Sequence, residues 1–265
     1  MKELEIIKKA ALAGGRILSD KFGKVTYRLK GRANLLTEAD LASQEKVIGL
    51  IHKAFPDDGF MAEESPVKET PNRRLWIIDP LDGTTNYAHG FPVAAVSIGF
   101  SENGEIKAGG VYDPFRRELF LARKGGGAFM NGRRLTVSRT PSLSKSLLVT
   151  GFGYDRAEKA EFYCGFFSEF MKLSHDVRRM GAASIDFCWL AAGRTDGYWE
   201  FGLKPWDVAA GKLIVEEAGG RVTDFGGRPW AVDPAMGSQT LATNGRLHSA
   251  MLRLIKRRLP AAPRR

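Results

Sequence analysis

The chain is 265 residues long, enough for one large domain or two small ones sharing a cleft. Its 43% hydrophobic and 26% charged residues are those of a globular protein, and no apolar run approaches the roughly 18 residues of a membrane span. The net charge of +10 invites a nucleic-acid reading, but five cations, Lys256, Arg257, Arg258, Arg264 and Arg265, fall in the last ten positions and read as a solvated basic tail. The start, Met1-Lys2-Glu3-Leu4-Glu5, carries acids and lacks the apolar core of a secretion signal, so a cytoplasmic protein is expected. The two cysteines, Cys164 and Cys188, sit in apolar surroundings and are expected as buried thiols, not a disulfide.

In chain order, residues 3–22 read as an amphipathic helix with Leu4, Ile7, Ala11 and Leu18 near one face. A strand from Val25 to Leu29 leads into a basic loop, Lys30 to Asn34. Thr37-Glu38-Ala39-Asp40, a Thr with an acid three residues on, opens a helix running to about Phe55. Phe60-Met61-Ala62 predicts a short strand emptying into Glu63-Glu64-Ser65, and Leu75-Trp76-Ile77-Ile78 a buried strand. Val93–Phe100 and Ile106–Tyr112 form a hairpin across Glu102-Asn103-Gly104-Glu105, followed by a strand at Glu118–Ala122. Gly125-Gly126-Gly127 lacks the Gly-Lys-Ser/Thr of a phosphate loop and reads as a tight turn.

From Ser142 the pattern predicts a strand Leu147–Gly151, a helix Ala157–Leu173, a short segment at Val177 and a helix Ala182–Ala192. A strand at Tyr198-Trp199-Glu200 and a helix Asp207–Ala218 with a Gly219-Gly220 end follow. Strands at Val222 and Thr240–Ala242 and a helix Arg246–Leu259 close the chain. The alternation gives α/β layers in two packed units, 1–141 and 142–259, with 260–265 as tail.

Asp79-Pro80-Leu81-Asp82-Gly83-Thr84-Thr85-Asn86 follows the Leu75–Ile78 strand and delivers two acids to a sheet edge. Pro, Asp and Gly also suit a plain turn. Taken singly, Asp207 reads as a helix N-cap, Glu63 as a surface acid and Asp40 as a capping partner. The four histidines lack metal-ligand spacing, and neither a Gly-x-Ser-x-Gly elbow nor a Walker loop occurs. The extra residue in Asp-x-x-Asp-Gly-Thr argues against an aspartyl-phosphate nucleophile of the Asp-x-Asp-Gly-Thr kind. Carboxylates at strand and helix ends suit a hard cation such as Mg²⁺ and attack by activated water.

Together these stretches resemble the inositol monophosphatase family over nearly the whole chain. Asp79–Asn86 is similar to its first signature. Trp206-Asp207-Val208-Ala209-Ala210 through Glu217-Ala218-Gly219-Gly220 is similar to its second, and Ala62-Glu63-Glu64-Ser65 to its Gly-Glu-Glu-Ser element. The resemblance implies a layered αβαβα sandwich of the sugar phosphatase type, the site lying between two closely packed subdomains. It implies two to three Mg²⁺ held by Glu63, Asp79, the Leu81 carbonyl, Asp82 and Asp207, with Asp40, Thr84 and Glu63 as the catalytic set. Phosphate and polyol would meet Asp82, Gly83, Thr84, Gly181, Ala182, Ala183, Glu200 and Asp207. Ala182 replaces a threonine, and Lys30 matches the mobile-loop lysine only with altered spacing.

The implied activity is Mg²⁺-dependent hydrolysis of inositol 1-phosphate or a related polyol phosphate, sensitive to lithium, in a homodimer. Fructose 1,6-bisphosphate or a nucleotide 3′-phosphate is the alternative substrate. An added RNA or RNA-polymerase role is the rival from another class, carried by the basic tail.

Overall fold

A computed structural model of the chain describes residues 2–31, 34–68, 73–231 and 239–259. Residues 260–265 and two residues of the basic loop, Arg32 and Ala33, lie outside them, whereas Lys256, Arg257 and Arg258, read from the sequence as part of a solvated tail, belong to the last helix. The first helix, α1 (Lys2–Lys21), turns Ile7, Ala10, Ala11 and Leu18 inward at helical spacing. Two short strands, β1 (Tyr27–Leu29) and β2 (Leu35–Thr37), pair antiparallel around the basic loop. The sequence yields no partner for β1, because three residues are too few for alternation to register. Helix α2 (Glu38–Ala54) starts on the predicted capping box: the Thr37 hydroxyl accepts the Ala39 N–H, and the Thr37 N–H donates to Asp40.

Strand β3 (Gly59–Ala62) lies parallel to β4 (Arg74–Asp82), and a short helix, α3 (Thr84–Ala88), follows β4. The sheet then extends antiparallel through β5 (Ala95–Glu102), β6 (Glu105–Asp113), β7 (Glu118–Arg123), β8 (Gly127–Met130) and β9 (Arg133–Arg134), seven strands in chain order. The Gly125–Gly127 stretch is a turn, as its composition predicts, with the Gly125 and Gly127 amides donating to Glu217 at 2.7 Å. The second sheet holds β10 (Leu147–Thr150), β11 (Asp176–Arg178), β12 (Gly197–Phe201), β13 (Arg221–Thr223) and β14 (Gln239–Thr243), ordered β11-β10-β12-β14-β13. Its helices are α4 (Ala160–Leu173), α5 (Ala183–Ala191), α6 (Pro205–Glu217) and α7 (His248–Arg258).

Strand alternation distributes side chains between three cores. Trp76 and Ile78 join the core under α1 and α2, whereas Ile77 joins the core built on α5 and α6. In the second sheet Tyr198 shares that central core, while Trp199 and Phe201 pack with α4 and α7. The layers therefore run α1/α2, sheet, α5/α6, sheet, α4/α7. Lying between two sheets, α5 buries residues on every side, which explains its largely apolar composition, whereas α6 buries Val208 to Gly211 and Leu213 to Val215 and keeps its charges, Asp207, Lys212, Glu216 and Glu217, out of that buried set. Gly99 and Gly109 let α6 lie close: a Cβ would stand 2.9 Å from Ala209 Cβ at Gly99 and 3.0 Å from Ala210 Cα at Gly109.

Cys188 is buried as expected, but Cys164 is exposed, and both thiols are free. The reason is helical phase. α4 buries Tyr163, Phe166 and Phe170, and Cys164 points away from that stripe. Among the described residues no helix is long and apolar enough to cross a membrane.

Candidate active site

Residues three apart on a regular strand face opposite ways. The pairing of β4 with β5 matches Asp79 to Ser97 and Asp82 to Ala95, so three steps on β4 oppose two on β5. The extra residue is a bulge, and it brings Asp79 and Asp82 to the same side of the sheet. It also accommodates Pro80, which has no N–H to give a ladder, and the Pro80 carbonyl accepts Ser43 Oγ at 2.8 Å. The strand thus continues through Asp82 where composition suggests a turn after Ile78. The turn comes at Gly83, with φ +90°, where a Cβ would lie 2.8 Å from the Val93 carbonyl oxygen.

Thr84, the first residue of α3, aims its hydroxyl at Asp40 Oδ1 (3.1 Å) and the Leu81 carbonyl (3.0 Å). Asp40 is fully buried behind Thr84. Glu63 leaves β3 beside β4, its N–H donating to the Ile78 carbonyl, and its carboxylate accepts Lys30 Nζ at 3.1 Å. Lys30 also pairs with Glu64. Asp207 is the third residue of α6, not the N-cap: Pro205 occupies the first position, and Asp207 accepts the Lys204 N–H at 2.6 Å. Asp82 accepts the Ala183 N–H at 3.2 Å and both the N–H and the hydroxyl of Ser184 at 2.6 Å, so it sits on the positive end of α5.

Glu63, Asp79, Leu81, Asp82, Gly83, Thr84 and Asp207 line one cleft of about 270 Å³. Asp82, Gly83, Thr84 and Asp207 continue into an adjoining one of about 110 Å³, which Gly181, Ala183 and Glu200 also line. Glu200, on β12, accepts the Tyr198 hydroxyl at 2.6 Å. Ala182 does not reach either cleft: its side chain is in the central core, against the space a Cβ on Gly83 would fill. Sequence reasoning missed Ser184, Tyr154, Arg156 and Arg179. The last three line the clefts, and Arg179 lies 5.7 Å from the ring of Phe152. The Arg178-Arg179 pair just before Gly181 was the available signal for the last of these.

Burial, then the charges of Glu63, Asp82 and Asp207, pushes the Asp79 carboxyl well above the usual carboxylate range. Burial, then Asp82, does the same to Asp207. Asp82 is raised by burial against its Ser184 and Ala183 hydrogen bonds and the Arg179 charge. Burial also raises Asp40, against donors from Thr37 and Thr84, and pushes Glu200 up to about 7. Oxygen donors that raise one another's proton affinity are stabilised when a hard divalent cation joins them, so the donor set fits such an ion. Among the described residues no three acids already form a closed cage. Lys30, the Lys204 amide and Ser184 each engage one of them instead.

The model of the inositol monophosphatase family matches residues 2–259. The chain belongs to this family. An inositol-1-monophosphatase from Synechocystis sp. is 46% identical over 94% of this chain and 86% of its own length. A protein of Pseudomonas aeruginosa called Nus factor SuhB is 38% identical over 99% of this chain and 98% of its own. The solved structure of an inositol monophosphatase from Anabaena (Nostoc) sp. superposes with a TM-score of 0.87 at 43% identity, covering 98% of this chain and 96% of that one.

Proposed function

We propose that the chain is a divalent-metal-dependent phosphomonoesterase acting on inositol 1-phosphate or a related polyol phosphate, with Mg²⁺ as its metal. The observation that carries this reading is the β4 bulge, which turns Asp79 and Asp82 into one cleft with Glu63 and Asp207, beside the Thr84–Asp40 hydrogen bond. Glu63, Asp79, Asp82, Asp207 and the Leu81 carbonyl would hold two to three Mg²⁺. Bound there, the metal neutralises phosphate charge and acidifies the attacking water.

The protein's own residues do the rest. Thr84 Oγ accepts a proton from the water while passing its own to Asp40 Oδ1, whose burial raises its affinity for that proton. Glu63 adds a further carboxylate to this catalytic set. The Gly83 and Thr84 amides donate to phosphate oxygens. Glu200, with one oxygen occupied by Tyr198, receives polyol hydroxyls beside Gly181 and Ala183 and near Asp207. Ala182 contributes packing under Gly83 instead of a side-chain contact.

The test is initial rates with Mg²⁺ on inositol 1-phosphate, fructose 1,6-bisphosphate and adenosine 3′,5′-bisphosphate. Inositol 1-phosphate is expected to turn over fastest, and hydrolysis of none of the three would overturn the reading. One observation favours a bisphosphate instead: two cations, Arg156 and Arg179, line the outer cleft, and the Arg179 charge already acts on the Asp82 and Glu200 carboxyls there. The name of the P. aeruginosa relative supports an added role in transcription. RNA binding that weakens with salt, lost on removing residues 256–265, is its signature. Family kinship also supports a homodimer, which sedimentation would measure.

A further inference from the structure

The seven-stranded sheet is wider than the helices laid on its outer face. A helix with its side chains is about 10–12 Å across and strands lie about 4.8 Å apart, so two helices cover roughly four or five strands. α2 lies on β4, and α1 on β5, β6 and the near side of β7. Beyond α1 a cleft of about 600 Å³ opens over β7 and β8, sharing no residue with the carboxylate clefts.

Its floor is apolar. Leu119 and Leu121, two apart on β7 and hence on one face, meet Phe129 of β8 and Leu4 and Leu12 of α1. Leu4, Lys8 and Leu12 recur every four residues, a stripe of α1 facing the opening, and Leu12 is 37% exposed. The rim is cationic: Lys8, Arg117 and Arg123 border it, and no acid does. None of the three has an ion pair among the described residues. Arg117 holds the left-handed conformation, φ +55°, and Asn131 fixes it there, donating to the Arg117 carbonyl at 3.0 Å while accepting the Leu119 N–H at 2.9 Å. The Asn131 amide is therefore committed to the fold, leaving the three cations to meet a ligand.

We propose that this cleft binds a small organic anion with an apolar body: a carboxylate, sulfonate or phosphate carried on an aromatic or alkyl group. The cavity lies in the size range of small-molecule sites, about 300–1,000 Å³. The leucine and phenylalanine floor gains by removing an apolar body from water. An uncharged apolar ligand would leave the three cations unanswered, whereas an anionic head gives them charge-assisted hydrogen bonds.

Fluorescence titration of the full chain tests this with 1-anilinonaphthalene-8-sulfonate and its uncharged counterpart N-phenyl-1-naphthylamine. The sulfonate is expected to bind saturably at one site, about tenfold more tightly than the neutral probe, the ratio set by charged hydrogen bonds. The double variant Arg117→Gly/Arg123→Ala should lose about that tenfold for the sulfonate and none for the neutral probe. Glycine at 117 keeps the left-handed backbone unstrained. Leu121→Trp should fill the floor and abolish binding of both. Saturating inositol 1-phosphate should not compete. Absence of saturable binding, competition by inositol 1-phosphate, or an undiminished sulfonate affinity in the arginine variant would overturn the proposal. Should Leu121→Trp fail to fold by circular dichroism, the arginine variant, confined to exposed residues, still decides.

Discussion

Asp79 and Asp82 are three positions apart, and the inserted residue of the β4 bulge is what lets both carboxylates serve one cleft. Each acid there makes its neighbours harder to ionise. Asp79→Asn is therefore expected to do two opposite things. Hydrolysis should fall by at least about 100-fold, as for loss of a main electrostatic group. The thermal midpoint in EDTA should rise, because a buried like charge has gone. A midpoint that falls instead would make Asp79 a structural residue. Thr84→Val removes the hydroxyl that donates to Asp40 at nearly constant volume and, on the proposed relay, should cost about 10²–10⁴ in kcat. Thr84→Ser should recover most of it. Equal rates for wild type and Thr84→Val would sink the proton relay. The residues of this site differ in how far local spacing reveals them. The Thr37/Asp40 cap is legible because both partners lie in one helical turn. The bulge is not, since it exists only in the pairing with β5. Arg179 was missed because its placement depends on Phe152, on a different strand-to-helix loop.

α6 carries Asp207 into the cleft, and its depth is set by two glycines on the sheet beneath it. Gly99→Ala would press a methyl against Ala209. It should cost about 1–3 kcal/mol, a drop of about 2–12 °C in the thermal midpoint. Since the same contact sets where Asp207 stands, kcat should fall as well, while Gly104→Ala, at a hairpin turn with open space around it, should leave kcat unchanged. A Gly99→Ala enzyme of normal stability and rate would show that α6 can settle elsewhere. At this scale the sequence was most legible where an element is long and one-sided. α1, α2 and the β5–β6 hairpin carry their own period. Helix starts were less so: α4 begins at Ala160 and not Ala157, and α6 at Pro205 and not Asp207. The strands β2, β8 and β9 escaped because they are two to four residues long and are held by neighbours, not by their own pattern.

Over the whole molecule, the cluster of acids between the two sheets links stability to pH and to metal. The folded-state affinities of Asp40, Asp79, Asp82 and Asp207 for protons are raised, and Glu200 is pushed up to about 7. A carboxyl whose proton is held more tightly in the fold contributes stability that is fully present below its unfolded value and is lost as pH rises through the folded one. His248, lowered to about 4 by burial, works the other way, but only below its ordinary value of 6.5. From pH 6.5 to 8 the acids therefore act without it, and the metal-free protein should grow steadily less stable across that interval. On the proposed function Mg²⁺ would bind the ionised carboxylates, so at 100 times its dissociation constant it should restore about 2.7 kcal/mol and flatten the slope. Urea midpoints in EDTA and in Mg²⁺ at several pH values would read this directly. A metal-free midpoint that is flat or rises from pH 6.5 to 8 would mean that the acids are not buried together as ligands. A falling midpoint that Mg²⁺ leaves untouched would mean that they are buried together for some purpose other than holding an ion.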